Sequence, residues 1–155
     1  MRTDSVRRTA FQATVHCLTG CGIGEVLGLA IATQLGWDDA SSILLAVVLA
    51  FTFGYGLTIA PLVRGGLALR AALGLALTAD TVSIGVMELV DNAILLAIPG
   101  AMDAGLADGL FWGSLAVALG IAFVVTFPVN VWLISRGLAM PRYITTTLVD
   151  LSHRP

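Results

Sequence analysis

The chain has 155 residues, 57% of them apolar and only 12% charged, with a mean hydropathy of +0.94. Soluble domains carry about 25% charged residues, so an ordinary water-facing surface is excluded. So are a nucleic-acid stripe at a net charge of −2, a disulfide framework from two Cys four residues apart, and disorder in so apolar a chain.

An integral membrane protein remains, with the lipid bilayer as its first partner. A spanning helix needs about 20 mostly apolar residues. In chain order, four segments qualify: about 11–35, 41–63, 71–98 and 109–135. Breakers mark the joints: Gly36 and Trp37, Gly65 and Gly66, Pro99 and Gly100, then Gly137 and Pro141. The expected fold is all-α, a single membrane domain forming a four-helix bundle, with a cytoplasmic tail at 137–155.

The eight basic residues are all Arg. With the N-terminus in the cytoplasm, Arg2, Arg7 and Arg8 precede the first span, Arg64 and Arg70 fall in the second connection, and Arg136, Arg142 and Arg154 follow the fourth. Every one then obeys the positive-inside rule. The outer connections carry Asp38, Asp39, Asp103 and Asp108 and no cation. Both termini are therefore expected inside. The first span is too long for a signal peptide, and it contains His16 and Glu25.

Chemistry resides in the spans. A charged side chain in hydrocarbon costs about 2.5–3.5 kcal/mol on insertion scales, yet Glu25, Asp80, Glu88 and Asp91 sit there with no Arg at their depth. They must be protonated, solvated or bound to a cation. On the first helix Cys17, Cys21 and Glu25 form an i, i+4 row beside a second row of Gly20, Gly24 and Gly28. Small-xxx-small rows let two backbones approach closely, which places the thiols in a tight helix contact. On the third helix Asp80, Ile84, Met87 and Asp91 share a narrow arc, flanked by Glu88, Asn92 and Ser83. That stripe should face protein or water. By the 1.5 Å rise per residue, His16, Cys17, Cys21 and Asp80 lie on the cytoplasmic side, at a depth that Thr58 and Asn130 also reach. Glu25 and Glu88 lie near the midplane, and Asp91 and Asn92 further out.

The strings HCLTGCGIGE, FGYGLTIAPLVRGG, ALTADTVSIGVMELVDN and FPVNVWLISRG resemble the bacterial membrane family catalogued as domain of unknown function 4396, over about residues 14–137. The resemblance implies a membrane fold in a bacterial inner membrane. It draws attention to His16, Cys17, Cys21 and Glu25, and to Asp80, Thr81 and Ser83. It also implies a His-containing polar tail, of which only His153 is present here.

Two readings of His16, Cys17, Cys21 and Asp80 stand side by side. Thiolate and imidazole suit copper or zinc, so the four would hold a transition metal for binding or transport. Alternatively the thiols are small packing residues. Glu25, Glu88, Asp91 and Asn92 are expected to form a cation pathway or charge relay, the alternative being a protonated, hydrogen-bonded network between helices. Three functions follow: a transition-metal protein, a proton- or cation-coupled small transporter, or a membrane scaffold whose Gly row drives oligomerisation. A homo-oligomer is expected, because four helices are few for a wide pore. No constellation for an enzyme, a haem or a nucleotide site stands out.

Overall fold

The computed structural model describes residues 2–137. Pro141, Arg142, Asp150, His153 and Arg154 lie outside the described residues, as does the tail from 138. Four helices account for almost all of the rest: α1 (Arg2–Leu35), α2 (Asp39–Arg64), α3 (Leu69–Ala97) and α4 (Gly109–Ser135). All four are long and apolar enough to cross a membrane.

α1 has 34 residues. At 1.5 Å per residue it is about 51 Å long, well beyond the roughly 30 Å of a hydrocarbon core. Its first turns hold Asp4, Arg7 and Arg8, all exposed. The helix begins nine residues before the apolar run because backbone hydrogen bonding does not stop where hydrocarbon does. At its other end Gly36 takes a φ of +67°, a left-handed conformation that suits Gly just past a helix. Asp38 then caps α2: Oδ2 accepts from the Ser41 backbone N–H at 3.2 Å and Oδ1 from the Ser41 hydroxyl at 2.7 Å. These bonds hold the exposed Asp38 carboxyl below the usual carboxylate range. α3 ends just before Pro99, and α4 runs through Pro128, whose ring nitrogen cannot donate a helical hydrogen bond.

The helices form a ring in chain order, each packed on the next, with α4 closing on α1. α1 and α3 also touch across the centre, whereas α2 and α4 do not meet. The face where α1 begins is also where α2 ends, α3 begins and α4 ends; it is called the N-terminal face below. Leu44, Val48, Leu89 and Val124 point outward at 53% to 73% exposure, as a lipid-facing surface requires.

The tightest contact joins α1 to α2. A Cβ on Gly20 would lie 2.7 Å from the Gly54 Cα, and a Cβ on Gly24 or Gly28 would collide with the backbone of Ala50 or Ala46. The glycine row is thus consumed within one chain. The thiols lie beside it but turn elsewhere: Cys17 and Cys21 pack with Ile84, Met87 and Ala122 in the middle of the bundle.

Candidate functional site

The α1–α3 diagonal carries the buried polar chemistry. α1 supplies Thr14, Cys17, Cys21 and Glu25, and α3 supplies Asp80, Ser83, Glu88, Asp91 and Asn92; all are buried. The third-helix arc faces protein, as its spacing predicts.

Near the midplane, Glu25 lies next to both Asp91 and Glu88. Asn92 fixes the group: its amide nitrogen donates to Glu25 Oε1 at 3.0 Å and to the Glu88 backbone carbonyl at 2.9 Å, with Glu88 Oε2 at 3.4 Å. Five oxygens of these four residues are buried without a hydrogen-bond partner: Glu25 Oε2, Glu88 Oε1, both Asp91 carboxyl oxygens and Asn92 Oδ1. An ionised carboxylate only accepts. Carboxylates side by side with no donor between them repel and forgo hydrogen bonds, and a proton on one supplies the missing donor to its neighbour.

Toward the N-terminal face a second group joins three helices. His16 Nε2 and Thr58 Oγ1 are 2.8 Å apart, and Asp80 lies beside Thr58 with His16 nearby. Cys17 Sγ and Ser83 Oγ are 3.1 Å apart. Cys21 is not part of this group, because its thiol lies beside Glu88. The Asn130 amide donates to Thr14 Oγ1 at 2.8 Å, tying α4 to α1. Toward the opposite face polar side chains give way to an apolar cluster of Leu29, Leu95, Phe111 and Leu115.

The structure does not show the expected metal set as one cluster. His16, Cys17, Cys21 and Asp80 do not converge: His16 and Asp80 meet through Thr58, Cys17 meets Ser83, and Cys21 meets Glu88. Among the described residues no group of three or more His, Cys, Asp and Glu is arranged to hold a metal ion. The residues expected as a cation pathway, Glu25, Glu88, Asp91 and Asn92, do come together. Met87 is buried in the apolar cluster around the thiols. The Tyr55 ring lies 5.6 Å from that of Phe51, and its hydroxyl is 2.8 Å from the Thr81 hydroxyl. Thr126 was not anticipated. It is fully buried on α4, and its hydroxyl has no partner. Its signal was available: Thr126 and Asn130 share one helix face around Pro128.

The family model described as Domain of unknown function (DUF4396) matches residues 7–139. The chain belongs to this family. The match to DUF4396 takes in both polar groups and, but for the first residues of α1, all four helices. No curated protein and no solved structure matched the chain.

Proposed function

We propose that this DUF4396 protein is a small proton-conducting membrane transporter in which Glu25, Glu88 and Asp91 form the proton-binding site. One observation carries this reading: the three carboxyls are adjacent and buried, and four of their six oxygens lack a hydrogen-bond partner. A site of this composition holds exchangeable protons, because each proton added supplies a hydrogen bond and removes a repulsion. Acids at membrane depth are the usual means by which transporters bind protons. A metal site would need donors disposed about one point, and the described residues offer no such arrangement. Hence the proton reading is preferred to copper or zinc.

In this reading the N-terminal face is cytoplasmic. Arg7, Arg8, Arg64, Arg70 and Arg136 all lie at that end, and Arg136 sits over the Trp132 ring, 5.3 Å from its centre, as an interfacial anchor does. The bilayer is that of a bacterial inner membrane.

The deciding experiment is proton flux into liposomes holding purified protein and an internal pH dye, driven by a potassium diffusion potential. The expected result is uptake above that of empty liposomes, abolished by Glu25→Gln. Uptake equal to empty liposomes, or unchanged in Glu25→Gln, refutes the assignment.

A further inference from the structure

At the N-terminal face α1 and α4 leave a groove of about 650 Å³ between them. Its polar residues are Thr3, Arg7 and Ser135, and its apolar ones include Val6, Phe127 and Val131. Thr3 lies in the first turn of α1, and Ser135 is the last residue of α4. Arg7 stands one turn before Phe11, where the apolar run begins, which puts it at the boundary between hydrocarbon and headgroups. Phe127 is two turns further into α4 than Ser135, about 12 Å along the axis. One groove therefore runs from the headgroup boundary into the acyl layer.

The charge at this end is unbalanced. Arg7, Arg8, Arg64, Arg70 and Arg136 gather here, all exposed, and among the described residues outside the apolar runs Asp4 is the one acid on this face. Arg7 makes no ion pair among the described residues. The segment 138–155 brings Arg142 and Arg154 against Asp150, so it adds cations rather than neutralising them. A second copy docked here in the same bilayer orientation would set its own Arg cluster against this one, and like charges repel. An anionic lipid meets both requirements of the groove. An acyl chain suits Val6, Phe127 and Val131, and a phosphate suits Arg7, with the hydroxyls of Thr3 and Ser135 as further donors. Arg pairs its N–H groups with phosphate oxygens, and basic pockets between membrane helices hold anionic headgroups. The grooves in mid-span on α1 and beside residues 104–107 contain no charged side chain, so nothing in them selects one headgroup over another.

We propose that the α1–α4 groove is a binding site for one phospholipid with an anionic headgroup, its phosphate on Arg7 and an acyl chain along Phe127 and Val131. The site stands apart from the carboxyl cluster and does not depend on the transporter reading.

The test is native mass spectrometry of the full chain in detergent, titrated with phosphatidylglycerol and with phosphatidylcholine of identical acyl chains. The choline cation offsets the phosphate of the second lipid, so it serves as the neutral comparison. Wild type is expected to bind one phosphatidylglycerol about tenfold or more tightly than phosphatidylcholine, the scale of one charge-assisted contact. Arg7→Gln should erase that preference. Arg64→Gln removes an equal charge from the same face outside the groove, and its preference should stay within about threefold of wild type, because separated surface charges are screened. Val131→Trp fills the apolar part of the groove and should weaken phosphatidylglycerol about tenfold or more. A wild type without preference would overturn the site. Equal losses in Arg7→Gln and Arg64→Gln would also overturn it, by assigning the preference to the Arg cluster as a whole. Unchanged binding in Val131→Trp would overturn it too, and leave the groove to the 138–155 segment or to a second copy. Should Val131→Trp fail to fold, the contrast between Arg7→Gln and Arg64→Gln decides.

Discussion

The Asn92 side chain reaches from α3 to Glu25 on α1, with its amide nitrogen 3.0 Å from Oε1. Among the described residues it ties the two helices of the diagonal together at the level of the acids, and it holds the Glu25 carboxyl against those of Glu88 and Asp91.

Removing that amide should therefore loosen the diagonal. Asn92→Ala is expected to lower stability by about 1–3 kcal/mol, the cost of leaving a buried polar group without its partner. Denaturant titration of the purified protein in detergent measures it. An unchanged midpoint would mean that the Asn92–Glu25 bond carries no net stabilisation.

The α1–α2 seam has no room for a side chain. Gly24→Leu should cost about 1–3 kcal/mol or more through overpacking against the Ala50 backbone. Because this row faces α2 of the same chain, the variant should lose helix packing before it loses any self-association. Comparing detergent unfolding with the oligomeric state of wild type and variant separates the two. A stable monomer produced from a wild-type oligomer would place the glycines between copies instead.

His16, Cys17, Cys21 and Asp80 are split among different partners, so the protein should purify without stoichiometric copper or zinc. Metal analysis is expected to find well under one ion per chain, and a chelator should leave the melting temperature unchanged. One ion per chain, lost in Cys17→Ser plus Cys21→Ser, would restore the metal reading.

Asp38 offers a test in water. Its carboxyl is held below the usual range by the Ser41 bonds. A carboxylate with a lowered folded pKa stabilises the folded state at pH above its unfolded value. That contribution fades as pH falls from the ordinary carboxylate range through the lowered folded value. Asp38→Asn keeps an N-cap acceptor but removes the charge. The stability gap between wild type and variant should be constant near neutrality and shrink on acidification below about pH 4. A gap independent of pH would show that the charge contributes nothing to the cap.

Much of this architecture was legible because hydrocarbon imposes length and period on a sequence. Four apolar runs gave four helices, and the i, i+3, i+4 spacing of Asp80, Ile84, Met87 and Asp91 located the buried face of α3. The grouping of Glu25 with Glu88, Asp91 and Asn92 followed from depth. Direction around the helix was harder. Cys17 and Cys21 share a face on paper, but one turn separates their neighbours, so one meets Ser83 and the other Glu88. Thr58 could be placed by depth, but nothing in its local sequence marks it as the link between His16 and Asp80. That link depends on the azimuth of α2, which the glycine contact fixes at tertiary level. The signal for Thr126 is faint: its spacing of four residues from Asn130, on an α4 that is otherwise mostly apolar.

That α1 and α3 meet across the bundle while α2 and α4 stay apart divides the labour of the chain unequally. Mutational tolerance should be banded accordingly. Exchanges among Leu, Ile, Val and Phe ought to be accepted on the outward faces of α2 and α4, away from the buried Phe111, Leu115 and Leu133. Along the inner faces of α1 and α3 far fewer changes should be accepted. A saturation scan of growth-selected variants, once a selectable activity is in hand, would trace those two intolerant stripes and draw the working axis of the protein without any structural input.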